Sequence, residues 1–186
     1  MKNIGTVAAK INLTGNVGII PTDTVYGVVA RCEDHVAVSK LYELKSRESK
    51  PGTIIAANLE QLEDLGLKRR YLTAVEQYWP GPISAVIPCA NPELAYLHQG
   101  KMSLAVRLPA DESIQKLLLK TGPILTSSAN LPGLPPANSL AEAKKYFGEK
   151  VDFYIDGGDL SDRKSSTIIR VLDDAIEVIR QGTVII

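Results

Sequence analysis

Short apolar blocks alternate with helical-period segments along the chain, the pattern of an α/β fold. Asn16 to Ile20 and Val25 to Ala30 read as extended segments on either side of the turn Pro21-Thr22-Asp23-Thr24, which is expected to expose three polar side chains. Between Val36 and Lys45 the residues Ala37, Leu41 and Leu44 recur at helical spacing, with Asp34 placed to cap the helix and Lys50-Pro51 as its stop. Thr53 to Ala57 reads as a buried strand, Leu59 to Leu65 as a short helix, and Leu72 to Trp79 as a helix halted by Pro80-Gly81-Pro82. Ser84 to Ile87 follows as a strand, and Ser103 to Arg107 alternates small and apolar side chains before Pro109. Glu112 to Lys120 is amphipathic, Pro123 to Thr126 predicts a strand running into Ser127-Ser128-Ala129-Asn130, and residues 139–147 predict a helix after a Pro-rich loop. Ser166 to Leu172 and Ala175 to Arg180 alternate around Asp173-Asp174, which predicts a hairpin, antiparallel pairing and hence a mixed sheet. No repeat, low-complexity tract or long linker divides the chain, so one domain over residues 1–186 is expected.

Composition narrows the class. A chain of 186 residues buries about 70% of the surface its unfolded form exposes, enough for a core without staples. Apolar and charged shares of 45% and 23% point away from disorder and from a membrane class. Lys plus Arg equals Asp plus Glu at 21 each, so the chain as a whole is not a basic nucleic-acid binder and any anion site must be local. Cys32 and Cys89 stand far apart with no Cys-x-x-Cys or Cys/His cluster, which indicates buried thiols rather than a disulfide framework or a zinc site. Met1 to Lys10 lacks the apolar segment of a signal peptide, and no apolar run approaches the roughly 18 residues of a membrane span; a reducing cytoplasm and no membrane partner are expected.

Candidate chemistry is sparse. Lys45, Arg47 and Lys50 crowd one helix end. Residues two apart on a helix do not share a face, so Lys45 and Arg47 meet one anion only if the helix unwinds before Pro51; the alternative is a solvated helix C-terminus favoured by its dipole. Lys68-Arg69-Arg70 is a denser run without such punctuation and reads as solvated surface. Ser127-Ser128-Ala129-Asn130 follows a β-branched strand end, where hydroxyls, an amide and free N–H groups can meet phosphate oxygens, or can simply satisfy a turn. Arg107 and Arg180 each close an apolar strand, a place for pairing with a carboxylate or phosphate, or for the strand to reach water. His35 and His98 lie outside every cluster, and no Gly-x-Ser-x-Gly, Walker loop or His-Glu-x-x-His is present, which disfavours Ser-His-Asp, zinc and P-loop chemistry.

Taken in order, Pro21-Thr22-Asp23-Thr24-Val25-Tyr26-Gly27, Lys45-Ser46-Arg47, Trp79-Pro80-Gly81-Pro82, Ala105-Val106-Arg107, Ser128-Ala129-Asn130, Ser166-Thr167-Ile168-Ile169 and Arg180-Gln181-Gly182 resemble the YrdC-like family of L-threonylcarbamoyladenylate synthases. Each string is common by chance, but the ordered set is specific and spans about Val17 to Gly182. The resemblance implies a single-domain α/β fold: a twisted, open, mixed sheet with flanking helices and a concave, locally positive central cavity. It also implies a nucleotidyltransferase that joins L-threonine, bicarbonate or CO2, and ATP with Mg2+ into threonylcarbamoyl-AMP and pyrophosphate. The product would feed a transferase machinery that modifies certain tRNAs.

Carried over by motif, Lys45, Arg47, Lys50, Ser103, Ser128, Asn130 and Arg180 would hold ATP, with Lys45 and Arg47 in the catalytic role, while Thr24, Arg107, Thr126 and Ser166 would hold threonine. Two anions must be brought together, so neutralisation and alignment are the main work and no protein nucleophile is required.

The sequence departs from the family in places. Ile55 stands where many members have a histidine, Ser127 where many have proline, and Pro136 where others often have serine; with the sequence ending at Ile186, the short form without the extra C-terminal domain of longer members is expected. Two rivals follow: a carbamoyl-adenylating enzyme of hydrogenase maturation, and a module whose basic cavity binds RNA, including tRNA, without chemistry.

Overall fold

The computed structural model describes residues 3–45, 51–172 and 175–186, and the β-branched and small apolar blocks among them join one nine-stranded sheet. Its strands are β1 (Gly18–Pro21), β2 (Tyr26–Arg31), β3 (Thr53–Ile55), β4 (Ile83–Pro88), β5 (Ser103–Arg107), β6 (Ile124–Ser128), β7 (Phe153–Tyr154), β8 (Thr167–Leu172) and β9 (Ala175–Arg180). They lie in the order β7-β1-β2-β6-β3-β5-β4-β8-β9, so the sheet is open. Parallel pairs β1/β7, β3/β5 and β4/β8 stand among antiparallel ones, which makes the sheet mixed. The expected hairpin is β8 with β9, Arg170 standing opposite Glu177.

Among the described residues seven helices flank it: α1 (Ile4–Ile11), α2 (His35–Leu44), α3 (Leu59–Asp64), α4 (Arg69–Thr73), α5 (Ala95–His98), α6 (Glu112–Thr121) and α7 (Leu140–Phe147). Successive strand residues point to opposite faces, and the sequence uses both. Ile19, Val28, Ile54, Leu125, Val106 and Ile169 meet Leu41, Leu62, Leu72, Leu97 and Phe147 on one face. Their neighbours Ile20, Val29, Ile55 and Ile124 meet Val7, Ile11, Ile114 and Leu117 of α1 and α6 on the other. Burying each such side chain is worth about 1.5–3 kcal/mol. Helices α1 and α6 cover only part of that second face, and the uncovered remainder becomes the site.

Two local expectations are corrected, and two elements are added. The helix expected over Leu72 to Trp79 is α4 from Arg69 to Thr73 followed by a 3-10 turn at Glu76–Tyr78; residues 68–70 are exposed, so the first helical turn leaves no apolar signal. Pro80 forces Trp79 into an extended conformation, which ends the turn. The Pro21 turn does not expose its polar side chains, since Thr22 and Thr24 are buried and the Asp23 side chain is 7% exposed. Helix α1 was not anticipated, although Asn3 caps it through Thr6 N–H and Val7, Ala8 and Ile11 form its buried stripe. Strand β7, two residues long, is too short to leave a period; the Phe153 ring lies over Gly18, where an added Cβ would come within 2.1 Å of it.

Candidate active site

Period-two alternation builds the cavity wall. On β5, Leu104 and Val106 enter the core while Ser103, Ala105 and Arg107 turn to the open face; on β8, Ile169 enters it while Ile168 and Arg170 turn outward. On β6, Thr126 and Ser128 share the parity of Ile124 but lie past the cover of α6. These residues, with Thr24, Thr53, Val86, Ser166 and Arg180, line a cavity of about 600 Å³. Two glycines let the backbone close in: a Cβ on Gly27 would come within 2.6 Å of Thr126 Oγ1, and one on Gly52 within 2.7 Å of the Thr126 carbonyl.

The deepest charge is a pair. Arg107 Nη2 donates to Asp23 Oδ1 at 2.8 Å, with side chains 4% and 7% exposed. Arg107 Nη1 donates to Ser84 Oγ at 3.1 Å, Ser84 Oγ donates to Ser166 Oγ at 3.0 Å, and Arg180 Nη2 donates to both the Ser166 carbonyl and its Oγ, at 2.8 and 3.2 Å. Thr22 Oγ1 is 3.1 Å from Thr24 Oγ1 and donates to the Val25 carbonyl, which stiffens the turn that carries Asp23. Arg107 Nε, Asp23 Oδ2 and Ser127 Oγ are buried with no hydrogen-bond partner. Such groups are costly unless something satisfies them.

Lys45 is the C-cap of α2, and its buried ammonium holds the neighbouring loop. Nζ donates to the Ser128 carbonyl at 2.8 Å, to the Asn130 carbonyl, and to Asn130 Oδ1 at 3.0 Å; Ser128 Oγ donates to the same Oδ1 at 2.7 Å. Behind the turn, Tyr26 OH donates to the Gly158 carbonyl and accepts from Gly157 N–H, and burial pushes its phenol pKa up.

Of the residues expected at the site, Thr24, Ser103, Arg107, Thr126, Ser128, Ser166 and Arg180 line one cavity. Lys45 and Asn130 are joined to it through Ser128 rather than lining it. Arg47 and Lys50 lie outside the described residues. Lys68, Arg69 and Arg70 are exposed, and Arg69 is paired with Glu63. Sequence reasoning missed Ser84, Lys101 and Arg170, and read Asp23 only as part of a turn; the period-two parity of β4 and β8 was the available signal for Ser84 and Arg170. Ile55 is fully buried under α1 and α6, away from the cavity, which explains how that position is apolar here. Among the described residues no group of three His, Cys, Asp or Glu side chains is placed to hold a metal ion, and no helix is long and apolar enough to cross a membrane.

Residues 10–182 match the model of the Sua5/YciO/YrdC family, described as "Telomere recombination". The chain is 36% identical over 191 residues to a threonylcarbamoyl-AMP synthase of Photobacterium profundum, covering 98% of this chain and 100% of that protein. It is 33% identical over 180 residues to a threonylcarbamoyl-AMP synthase of Pyrococcus abyssi, covering 95% of this chain and 53% of that protein, so it spans about half the length of that relative. The crystal structure of P. abyssi Sua5 complexed with L-threonine superposes with a TM-score of 0.82 at 32% identity, covering 96% of this chain and 54% of the other.

Proposed function

This chain belongs to the Sua5/YciO/YrdC family, and on that premise we propose that it makes threonylcarbamoyl-AMP from L-threonine, bicarbonate or CO2, and ATP, releasing pyrophosphate. The observation that carries the reading is the convergence of Thr24, Arg107, Thr126, Ser128, Ser166 and Arg180 on one cavity of about 600 Å³, a volume within the range of small-molecule sites.

The amine of threonine adds to CO2 and loses a proton, or condenses with bicarbonate and releases water, and an oxygen of the resulting carbamate bonds to the α-phosphorus of ATP. As it does, the bond from that phosphorus to the β-bridging oxygen breaks, and pyrophosphate leaves with the electron pair. Carbamate and triphosphate are both anionic, so the chain contributes cations and alignment rather than a nucleophile. Arg107 is held by Asp23 and Ser84 and keeps Nε for the threonine carboxylate. Arg180 and the 128–130 loop, tied down by Lys45, face the triphosphate. Arg47 and Lys50 complete the phosphate contacts in this reading. Mg2+ would enter with ATP, held by the phosphates and by water rather than by side chains of this cavity, and would offset phosphate charge.

The product passes to a transferase that modifies tRNA, in the cytoplasm, where two buried free thiols remain reduced. Pyrophosphate release with each substrate omitted in turn tests the reading. Release should require ATP, L-threonine and bicarbonate together. Equal release without threonine leaves an ATPase, and release dependent on carbamoyl phosphate instead moves the chain to carbamoyl-adenylating chemistry.

A further inference from the structure

We propose that Ser84 is a positioning residue: its hydroxyl fixes the direction of the hydrogen bonds between Arg107 and Arg180, so that Ser166 faces the cavity as a donor and receives a carboxylate or phosphate oxygen. Only donors stand at the two ends of the series, because a guanidinium has no acceptor. Ser84 Oγ accepts from Arg107 Nη1, and Ser166 Oγ accepts from Arg180 Nη2. The two hydroxyls bring two hydrogens, and the 3.0 Å contact between them consumes one.

Burial decides which hydroxyl keeps the other. Ser84 is 0% exposed and does not line the cavity, so a surplus hydrogen there would stay unsatisfied; Ser166 lines the cavity and is 4% exposed. Ser84 therefore donates to Ser166, and the Ser166 hydrogen is left for a ligand. With Arg180 and Ser84 both donating to it, Ser166 Oγ is a poor acceptor for an ammonium group. It suits an anionic oxygen, flanked on either side by a guanidinium. The family resemblance puts Ser166 near threonine without saying which threonine atom it meets; the hydrogen-bond directions exclude the amine. Ser84 itself touches no ligand and acts through Arg107 and Ser166.

The proposal rests on the synthase reading only for the identity of the anion. Calorimetric titration of the whole chain with L-threonine, L-threoninamide and α,β-methylene-ATP, on wild type, Ser84→Ala, Ser166→Ala and the double variant, tests it, with thermal melts alongside and Ser84→Cys preserving volume. Ser84→Ala should weaken one anionic ligand by about 10- to 100-fold, the range for a hydrogen bond to a charged group. Weaker threonine binding with a reduced preference over threoninamide identifies the carboxylate, and weaker nucleotide binding identifies the phosphate. The double variant should be little worse than Ser166→Ala alone, since Ser84 reaches that ligand oxygen through Ser166. Ser84→Cys, a weak donor, should fall between wild type and Ser84→Ala. A folded Ser84→Ala that binds both anions within about twofold of wild type overturns the proposal, as do penalties that add in full. A purely structural role would lower the melting temperature and leave both the threonine over threoninamide preference and the nucleotide affinity intact, which also overturns it. Wild type that binds neither ligand overturns the synthase reading itself.

Discussion

Arg107 carries two roles that a pair of substitutions can separate. Its guanidinium lies 2.8 Å from the Asp23 carboxylate, and both side chains are more than nine-tenths buried. Arg107→Met strands that carboxylate without its counterion, a change that costs about 3–5 kcal/mol. In a chain of this size each kcal/mol lowers Tm by about 2–4 °C, so the melt should drop by about 6–20 °C. Adding Asp23→Leu removes the stranded charge, and apolar replacement of a buried pair is often neutral or stabilising. Ser84 still lacks its donor in the double variant, a loss of about 0.5–1.5 kcal/mol, so the double variant should melt within about 6 °C of wild type. Activity should not follow stability: both variants lack the cation for the substrate carboxylate, and threonine-dependent pyrophosphate release should stay down by about 10²- to 10³-fold in each. Scanning fluorimetry gives the melts, and release is measured well below the lower one. Recovery of both stability and turnover in the double variant would show Arg107 to be structural only. An Arg107→Met variant that melts with wild type would refute the claim that the pair is a desolvated one.

Lys45→Met removes three hydrogen bonds to the 128–130 loop while keeping the apolar stem, so nucleotide affinity by calorimetry should fall by at least about tenfold; Ala at Lys68, Arg69 and Arg70 together should leave turnover unchanged, since those side chains are exposed. Serine should replace threonine with a loss of about 1–3 kcal/mol in kcat/KM, and valine should fare worse because groups that bind the hydroxyl are left unpaired; equal use of valine would remove Thr24 from the side-chain pocket. Burial raises the Asp152 pKa, but the hydrogen bond from Lys40, the Val17 N–H and the Lys40 charge outweigh it and hold the carboxyl below its usual value. Its stabilising effect is therefore present above the unfolded pKa of about 3.9 and lost as pH falls through the lower folded value. Asp152→Asn should lower the unfolding free energy from urea titration at pH 7 by under about 1 kcal/mol, because the pair is partly exposed, and by less at pH 2; an equal effect at both pH values would contradict the assignment.

The alternation of Ser103, Ala105 and Arg107 with Leu104 and Val106, and the spacing of Ala37, Leu41 and Leu44, were legible because side-chain period follows from backbone geometry alone. So were the cap at Asp34, the closing hairpin and, through the ordered motifs, seven of the residues that meet at the cavity: Thr24, Ser103, Arg107, Thr126, Ser128, Ser166 and Arg180. The sequence could not rank Asp23 above its neighbours in the turn, nor say what Ser84 would meet, because strand parity gives a side chain its face but not its partner. Burial, partner and hydrogen-bond direction are set by strands 20 to 140 positions apart in the chain that come to lie side by side. Lys45 makes the same point: its place at a helix end follows from local pattern, but its ammonium turns into the 128–130 loop because three acceptors from β6 and the following residues converge there. Local preference determined the elements; long-range pairing decided which polar side chains face the cavity and which polar atoms are left unsatisfied.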